Sequence, residues 1–149
     1  MPRENRGIAT EVVTTHSAGE TERWAEAYAQ KLTQPATIAL IGDLGTGKTV
    51  IAHGIGKGLG VREAIISPTF NYVLEYQGRL PLFHADLYRI ESPAVFQAMG
   101  LDEYFERGGI YLIEWAERII DLLPESATII SIAESENENE RILTIRRAE

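Results

Sequence analysis

Residues 36–49 read ATIALIGDLGTGKT, and this stretch decides the fold. Its first six residues form a short apolar run, which is typical of a strand buried in a parallel sheet. The next eight, Gly42 to Thr49, match the pattern G-x-x-x-x-G-K followed by Ser or Thr. Glycines let the backbone curl, so that successive N–H groups point at one anion. The stretch therefore predicts a phosphate-binding loop between a strand and a helix, the alternative being a glycine-rich turn with a surface lysine.

Each part of this loop has a task in binding a nucleoside triphosphate. We expect the nucleotide to contact seven consecutive residues: Asp43, Leu44, Gly45, Thr46, Gly47, Lys48 and Thr49. Lys48 is expected to place its charge on the β- and γ-phosphates, while the Thr49 hydroxyl binds Mg²⁺. The helix that follows adds N–H donors and the positive end of its dipole. The loop does not name the reaction.

The metal needs a further acidic residue, and two apolar segments end in one. Glu114 ends IYLIE, and Asp86 ends LFHAD. Either could bind Mg²⁺, directly or through water, and either could orient an attacking water molecule. The alternatives are a carboxylate that caps the next helix for Glu114 and a plain hydrogen-bonding role for Asp86. The candidate catalytic residues are thus Lys48, Asp86 and Glu114, and the candidate metal ligands are Thr49, Asp86 and Glu114.

Two further positions are candidates with simple structural alternatives. Thr69 follows Ser67 and Pro68 in a loop where a hydroxyl could sense the γ-phosphate, as switch loops do, but the segment could also be a plain turn. Trp115 comes directly after Glu114, and its residue type alone indicates packing.

Strands and helices alternate along the rest of the chain. Strands are predicted over residues 8–14, 36–41, 80–84, 110–113, 127–133 and 141–147, with a hairpin partner around residues 72–76. Helices are predicted over residues 18–33, from the loop to about residue 60, and over 93–99, 101–107 and 115–123. We expect an α/β fold, a P-loop NTPase-like α/β/α sandwich with a mostly parallel sheet and antiparallel hairpin additions. A single P-loop domain is expected over residues 1–149, with residues 1–7 frayed.

The helix patterns also predict what each helix buries. A capping box at Ser17 and Glu20 should begin the first helix. Its buried face is predicted from spacing by four: Trp24, Tyr28 and Leu32. The buried face of the helix after the loop is predicted in the same way: Ile51, Ile55 and Leu59. The glycines at 54, 56 and 58 favour close packing on the sheet.

Composition excludes several classes of protein. Lys plus Arg is 14 and Asp plus Glu is 22, and the resulting net charge of −8 argues against a basic nucleic-acid-binding domain. The chain has no cysteine, which removes disulfide scaffolds, Cys-ligated zinc, iron–sulfur clusters and a Cys nucleophile. No apolar run approaches the roughly 18 residues that span a bilayer, so we expect a soluble cytoplasmic protein.

Several readings of the phosphate-binding loop remain open. A GTPase would need the string Asn-Lys-x-Asp, which the chain lacks. A small-molecule kinase would use arginines as a lid, and Arg89, Arg107 and Arg118 are available. A module that binds ATP without hydrolysing it is a third reading.

Four segments, in this order, resemble the TsaE (YjeE) family: GDLGTGKT at 42–49, SPTFNYVLEY at 67–76, FHADLYRI at 83–90 and LIEWAER at 112–118. The resemblance runs from about residue 14 to 147. This family is the ATPase component of the bacterial machinery that makes threonylcarbamoyladenosine in tRNA. One departure is Thr46, where the family often has Ala.

The resemblance implies roles for most of the candidate residues. Lys48 and Thr49 would hold phosphates and Mg²⁺, and Glu114 would have the Walker B role near the metal. Asp86 would be a catalytic or metal-associated acid. A switch-like loop is implied at Ser67, Pro68, Thr69 and Phe70, and a functional role at Trp115.

The resemblance also implies cofactors and partners. The cofactors would be ATP and Mg²⁺. The partners would be proteins of the TsaB and TsaD type, with TsaD transferring the threonylcarbamoyl group and tRNA reached through the complex. ATP hydrolysis would support turnover of that complex. By analogy with phosphate-loop switches that need a second protein, we expect hydrolysis by the isolated chain to be slow.

Overall fold

Seven strands form one sheet in the computed structural model, which describes residues 8–43, 47–66, 68 and 72–148. The strands are β1 (Ile8–Thr15), β2 (Ala36–Ile41), β3 (Val73–Tyr76), β4 (Leu82–Asp86), β5 (Ile110–Glu114), β6 (Thr128–Glu134) and β7 (Arg141–Ala148). Their order across the sheet is β1-β7-β6-β2-β5-β4-β3.

The centre of the sheet is parallel and its two edges are antiparallel. β2 pairs in parallel with β5 and β6, and β4 pairs in parallel with β5. β3 adds to β4 as an antiparallel hairpin, and β7 and β1 extend the sheet beyond β6 in antiparallel pairings. The predicted α/β fold with antiparallel additions is therefore confirmed. The apolar runs of β2 and β5 lie in the centre because both of their faces are buried.

Helices cover both faces of the sheet. They are α1 (Ala18–Gln30), α2 (Lys48–Gly58) and α3 (Pro93–Ala98), followed by 3₁₀ helices at Leu101–Glu106 and Ala116–Leu122. Alternate residues of β2 show the two sides: Ile38 and Leu40 pack in the core under α1 and α2, and Ala39 packs in the core on the other side. Among the described residues, no helix has the length and apolar character to cross a membrane.

The helices differ from the sequence prediction at the end of α1 and in two segments that are 3₁₀ helices, Leu101–Glu106 and Ala116–Leu122. α1 begins as predicted, since the Ser17 side chain accepts a hydrogen bond from the Glu20 N–H at 3.0 Å. It ends at Gln30 rather than at residue 33, where the Leu32 N–H turns back to the Ala29 carbonyl. The segment predicted as a helix over 115–123 is a 3₁₀ helix with non-helical backbone at Ile119.

The arginine after the β3 turn joins the ends of α1 and α2. The Arg79 guanidinium donates to the carbonyl oxygens of Ala29, Leu32 and Gly58 at 3.0, 3.1 and 2.9 Å. Ala29 and Gly58 lie in the last turns of α1 and α2, and Leu32 lies two residues beyond α1. Arg79 therefore fixes the ends of two helices to each other.

The glycines of α2 correct one prediction. A Cβ added at Gly54 would lie 2.4 Å from the Glu22 carbonyl oxygen, and one at Gly58 would lie 2.4 Å from that of Glu26. These glycines therefore permit close contact with α1 rather than with the sheet, while Gly56 faces Ile65. Ile51, Ile55 and Leu59 are fully buried as predicted.

Close contact between the helices also changes which face of α1 is buried. Small side chains occupy that face: Thr21, Ala25 and Ala29. The aromatic and leucine residues predicted there are only partly buried beside the core: Trp24, Tyr28 and Leu32. The physical reason is space, since α2 could not approach α1 with large side chains between the two backbones.

Candidate functional site

The predicted loop and both candidate acids meet at one edge of the parallel sheet. β2 runs into the loop, and α2 begins with Lys48 directly after it. Gly47 has a φ of 108°, a left-handed backbone conformation that glycine adopts without strain. Asp86 and Glu114 end neighbouring parallel strands and face each other in register. Ligands of open α/β sheets bind at this carboxyl edge of the strands.

Lys48 is held inward by its own loop and by an indole ring. Its Nζ donates to the carbonyl oxygens of Gly42 and of Asp43, the latter at 3.0 Å. The same atom lies 4.0 Å from the ring centroid of Trp115, and the residue is only 6% exposed. Burial lowers the pKa of the Lys48 ammonium, and the acids around it oppose this effect, with Glu117 ahead of Glu114.

Glu114 is buried at the end of β5, and its partner is a histidine. Its Oε2 lies 2.5 Å from Nε2 of His84, which is fully buried in β4. His84 was not among the candidates from the sequence. One signal pointed to it: residues two apart in a strand share a face, so His84 lies on the same face of β4 as Asp86.

Asp86 shows the plain hydrogen-bonding role considered for it, and its catalytic or metal-binding role stays a prediction. Its Oδ1 accepts a hydrogen bond from the Tyr88 N–H at 2.9 Å, which is the plain structural role. Its carboxyl is half-buried beside the end of β5. Burial raises the pKa of Asp86, the Tyr88 hydrogen bond opposes this, and the charge of Glu114 adds to it. The two carboxylates therefore form an electrostatically coupled pair.

Trp115 has an uncommon backbone conformation next to the site. Its φ of 59° lies in the left-handed region, which is strained for a bulky residue. The half-buried ring contacts the Lys48 ammonium on one side and the Tyr88 ring at 5.0 Å between centroids. The Arg118 guanidinium lies 5.9 Å from its centroid. The ring thus contacts the loop lysine in addition to packing.

The remaining candidates divide into described and undescribed residues. Thr49 is the second residue of α2 and is exposed at the start of the helix. Five of the candidates lie outside the described residues: Leu44, Gly45, Thr46, Ser67 and Thr69. Phe70 of the switch-like loop lies outside them as well.

The donor set suits a Mg²⁺–nucleotide complex. The described residues include no group of three or more His, Cys, Asp or Glu side chains that could hold a metal ion by themselves. Mg²⁺ commonly takes one or two carboxylates and completes its shell with water and phosphate oxygens. Asp86, Glu114 and the Thr49 hydroxyl fit that pattern, and Lys48 supplies a charge for phosphate.

Comparison with known proteins gives one consistent family. The family model described as "Threonylcarbamoyl adenosine biosynthesis protein TsaE" matches residues 15–143. A tRNA threonylcarbamoyladenosine biosynthesis protein TsaE from Treponema pallidum is 39% identical over 118 residues, covering 79% of this chain and 87% of that protein. The protein of the same description from Rickettsia prowazekii is 36% identical over 140 residues, covering 90% and 93%. The crystal structure of Bacillus subtilis YdiB has a TM-score of 0.78 and 34% identity, covering 95% of this chain and 87% of that one.

Proposed function

We propose that this chain, which belongs to the TsaE family, is a Mg²⁺-dependent ATPase that supports turnover of a TsaB–TsaD transferase. The transferase would act in the cytoplasm, in the synthesis of threonylcarbamoyladenosine in tRNA. One observation carries the proposal: the phosphate-loop lysine, Lys48, begins α2 at the carboxyl edge of the sheet, where Asp86 and Glu114 end neighbouring strands in register. A loop that only held phosphate would not need these two carboxylates.

Phosphate binding would begin with an exchange of partners at Lys48. The ammonium leaves the carbonyl oxygens of Gly42 and Asp43 and bonds the β- and γ-phosphate oxygens. Backbone N–H groups of the loop and the start of α2 donate to the same phosphates. These donors stabilise the negative charge that grows on the oxygens during phosphoryl transfer to water.

The carboxylates would divide the other two tasks. The Thr49 hydroxyl and one strand-end carboxylate would hold Mg²⁺, and the other carboxylate would orient the attacking water. Mg²⁺ supplies charge neutralisation on the β- and γ-phosphates when it is bound. Asp86 and Glu114 can share these tasks because the sheet register places them side by side.

Partners would complete the catalytic geometry. Phosphate-loop proteins of this kind commonly hydrolyse slowly until a second protein adds charge or fixes the water. The net charge of −8 fits a chain that leaves contact with tRNA to its partners.

The test is ATP hydrolysis by the purified chain with Mg²⁺, alone and with TsaB, TsaD and tRNA. We expect slow hydrolysis alone, acceleration by the partners, and a loss of about 100-fold or more in Glu114→Gln, since a group acting in the transition state contributes that much. Glu136→Gln, in the exposed acidic tip, is the matched control and should leave the rate unchanged. Hydrolysis that ignores both the partners and Glu114→Gln would refute the proposal.

Two of the arginines considered for a kinase lid have different surroundings. Arg118 lies by Trp115 at the site. Arg107 instead pairs with Glu75 at 3.2 Å and packs over the Phe83 and Tyr104 rings. A kinase would transfer the γ-phosphate to a metabolite of a cell extract, whereas the proposed ATPase releases it as inorganic phosphate.

A further inference from the structure

His84 is a buried polar residue with no task in the mechanism above. Its side chain is 0% exposed, and Nε2 lies 2.5 Å from Glu114 Oε2. Its other ring nitrogen, Nδ1, is buried and has no hydrogen-bond partner among the described residues. A buried polar atom without a partner is unfavourable, and an apolar side chain would avoid that cost. The demands of folding therefore do not explain a histidine at this position.

The hydrogen bond selects a tautomer of the ring when Glu114 is ionised. An ionised carboxylate can only accept, so Nε2 of His84 is then the donor. In the neutral ring, Nδ1 is then an acceptor. Nε2 contacts Glu114, whereas Nδ1 has no hydrogen-bond partner among the described residues.

The sheet register explains how the two side chains meet. Across β4 and β5, His84 faces Leu112 and Asp86 faces Glu114. His84 therefore reaches Glu114 diagonally, on the face of the sheet that carries α2. At the same time, Lys48 and Glu114 attract each other. A Glu114 side chain released from His84 would be drawn towards the ammonium and would neutralise the charge intended for phosphate.

We propose that His84 is a positioning residue for Glu114. Its Nε2–H holds one carboxylate oxygen, and so leaves the other oxygen for Mg²⁺ or water and keeps the carboxylate off Lys48. This role rests on the proposed function, because it assigns Glu114 to Mg²⁺ or water. Partners of this kind, which orient a metal-binding carboxylate, commonly contribute about 10- to 100-fold to metal affinity or activity.

The test compares three substitutions. His84→Gln keeps a donor near the position of Nε2, His84→Asn keeps an amide that is too short to reach Glu114, and His84→Met fills the space without a donor. Each variant is assayed for kcat and KM of ATP hydrolysis with TsaB, TsaD and tRNA. Binding of ADP is measured by calorimetry with and without Mg²⁺, which reports on Glu114 independently of turnover. Thermal unfolding is recorded for all variants.

We expect His84→Asn and His84→Met to lower kcat about 10- to 100-fold and to raise KM. In both, the gain in ADP affinity on adding Mg²⁺ should shrink, and metal-free affinity should fall, because the released Glu114 then neutralises Lys48. His84→Gln should restore most of these quantities. His16→Asn, at a side chain that is 63% exposed, is the control and should match the wild type.

Two results would overturn the role of His84. One is wild-type kcat and Mg²⁺ dependence in His84→Asn. The other is an equal loss in His84→Gln and His84→Asn, which would mean that only the ring shape matters. If His84→Met fails to fold, the Gln and Asn pair still decides. A wild-type chain without ATP hydrolysis under any condition would refute the proposed function instead, and the ADP measurements would still test His84.

Discussion

Lys48 and Arg79 both donate hydrogen bonds to backbone carbonyl oxygens, and the two arrangements differ. Arg79 donates to three carbonyls at or near the ends of α1 and α2. Lys48 donates to two carbonyls of its own loop, with acids around it and an indole beside it. Arg79 joins the ends of two helices, and Lys48 lies in the candidate site.

The chemistry of the two side chains matches this difference. A guanidinium is planar and always charged, and its several donors suit a fixed set of acceptors. An ammonium is a compact charge on a flexible stem, and its pKa shifts on burial, as it does at Lys48. We infer that the Arg79 hydrogen bonds are a fixed part of the fold. The Lys48 hydrogen bonds, by contrast, could be replaced by bonds to phosphate oxygens.

The largest effect is expected when the Lys48 side chain is removed. Lys48→Ala should lower ATP hydrolysis by about 100-fold or more, because the charge on the phosphates is lost. Its free energy of unfolding should change by less than about 1 kcal/mol, since the buried cation and its bonds disappear together. Hydrolysis assays and urea unfolding check the two parts. The control is Lys57→Ala on the same helix, at a side chain that is 57% exposed; a large loss of stability in Lys48→Ala would instead make this lysine structural.

The next prediction concerns the close contact between α1 and α2, whose ends Arg79 joins. Gly54→Ala should destabilise the protein by about 2 kcal/mol, because its Cβ would meet the Glu22 backbone. Gly56→Ala is the matched control, since its Cβ would meet the Ile65 side chain, which can shift. Both variants gain about 1 kcal/mol of helix propensity, so the difference isolates the contact. Equal stability of the two variants in urea unfolding would show that α1 and α2 separate easily.

A smaller effect is expected when Arg79 is made to resemble Lys48. Arg79→Lys keeps the charge but cannot bond three carbonyls in fixed directions, and we expect a loss of about 1 kcal/mol. ATP hydrolysis per folded molecule should stay the same. Exposed Arg62→Lys serves as the control in the same denaturant series. Unchanged stability in Arg79→Lys would mean that the three bonds contribute nothing beyond charge.

The smallest effect concerns a carbonyl that accepts from a neutral donor. The buried Tyr111 hydroxyl donates to the Leu101 carbonyl at 2.8 Å, and burial raises the pKa of Tyr111 above its usual value of 10.0. Above that pH the unfolded chain loses a proton that the folded chain keeps, so stability falls as the pH rises.

Tyr111→Phe should remove about 1.4 kcal/mol per pH unit of that fall above pH 10. The slope is the measurement, because the lost hydrogen bond shifts stability at every pH. Tyr28→Phe, at a partly exposed tyrosine, should keep the wild-type slope. The same slope in Tyr111→Phe would contradict the raised pKa.

Local patterns in the sequence predicted the structural features that are determined within a single segment. The apolar run at 36–41 became β2 with the predicted bounds, and the Ser17 cap forms as expected. The α/β fold follows from the alternation of such segments. The undescribed loop residues, among them Ser67 and Thr69, remain predictions, as do the roles of Lys48, Asp86 and Glu114.

The sequence could not show the contacts between segments that are distant along the chain. The bond from His84 to Glu114 needs the register of β4 against β5, which no local pattern contains. Gly54 and Gly58 were assigned to the sheet because a helix pattern cannot say which neighbour lies over it. The Arg79 bond to the Leu32 carbonyl likewise joins residues that are 47 positions apart.

The parallel register between β4 and β5 limits how this chain can change in length. An inserted residue in either strand would turn its terminal carboxylate to the other face of the sheet, away from α2. Insertions are tolerated better in the connections between strands, as at residues 135–140 between β6 and β7. Homologues should therefore differ in length at that tip while the spacing from His84 to Asp86 stays fixed.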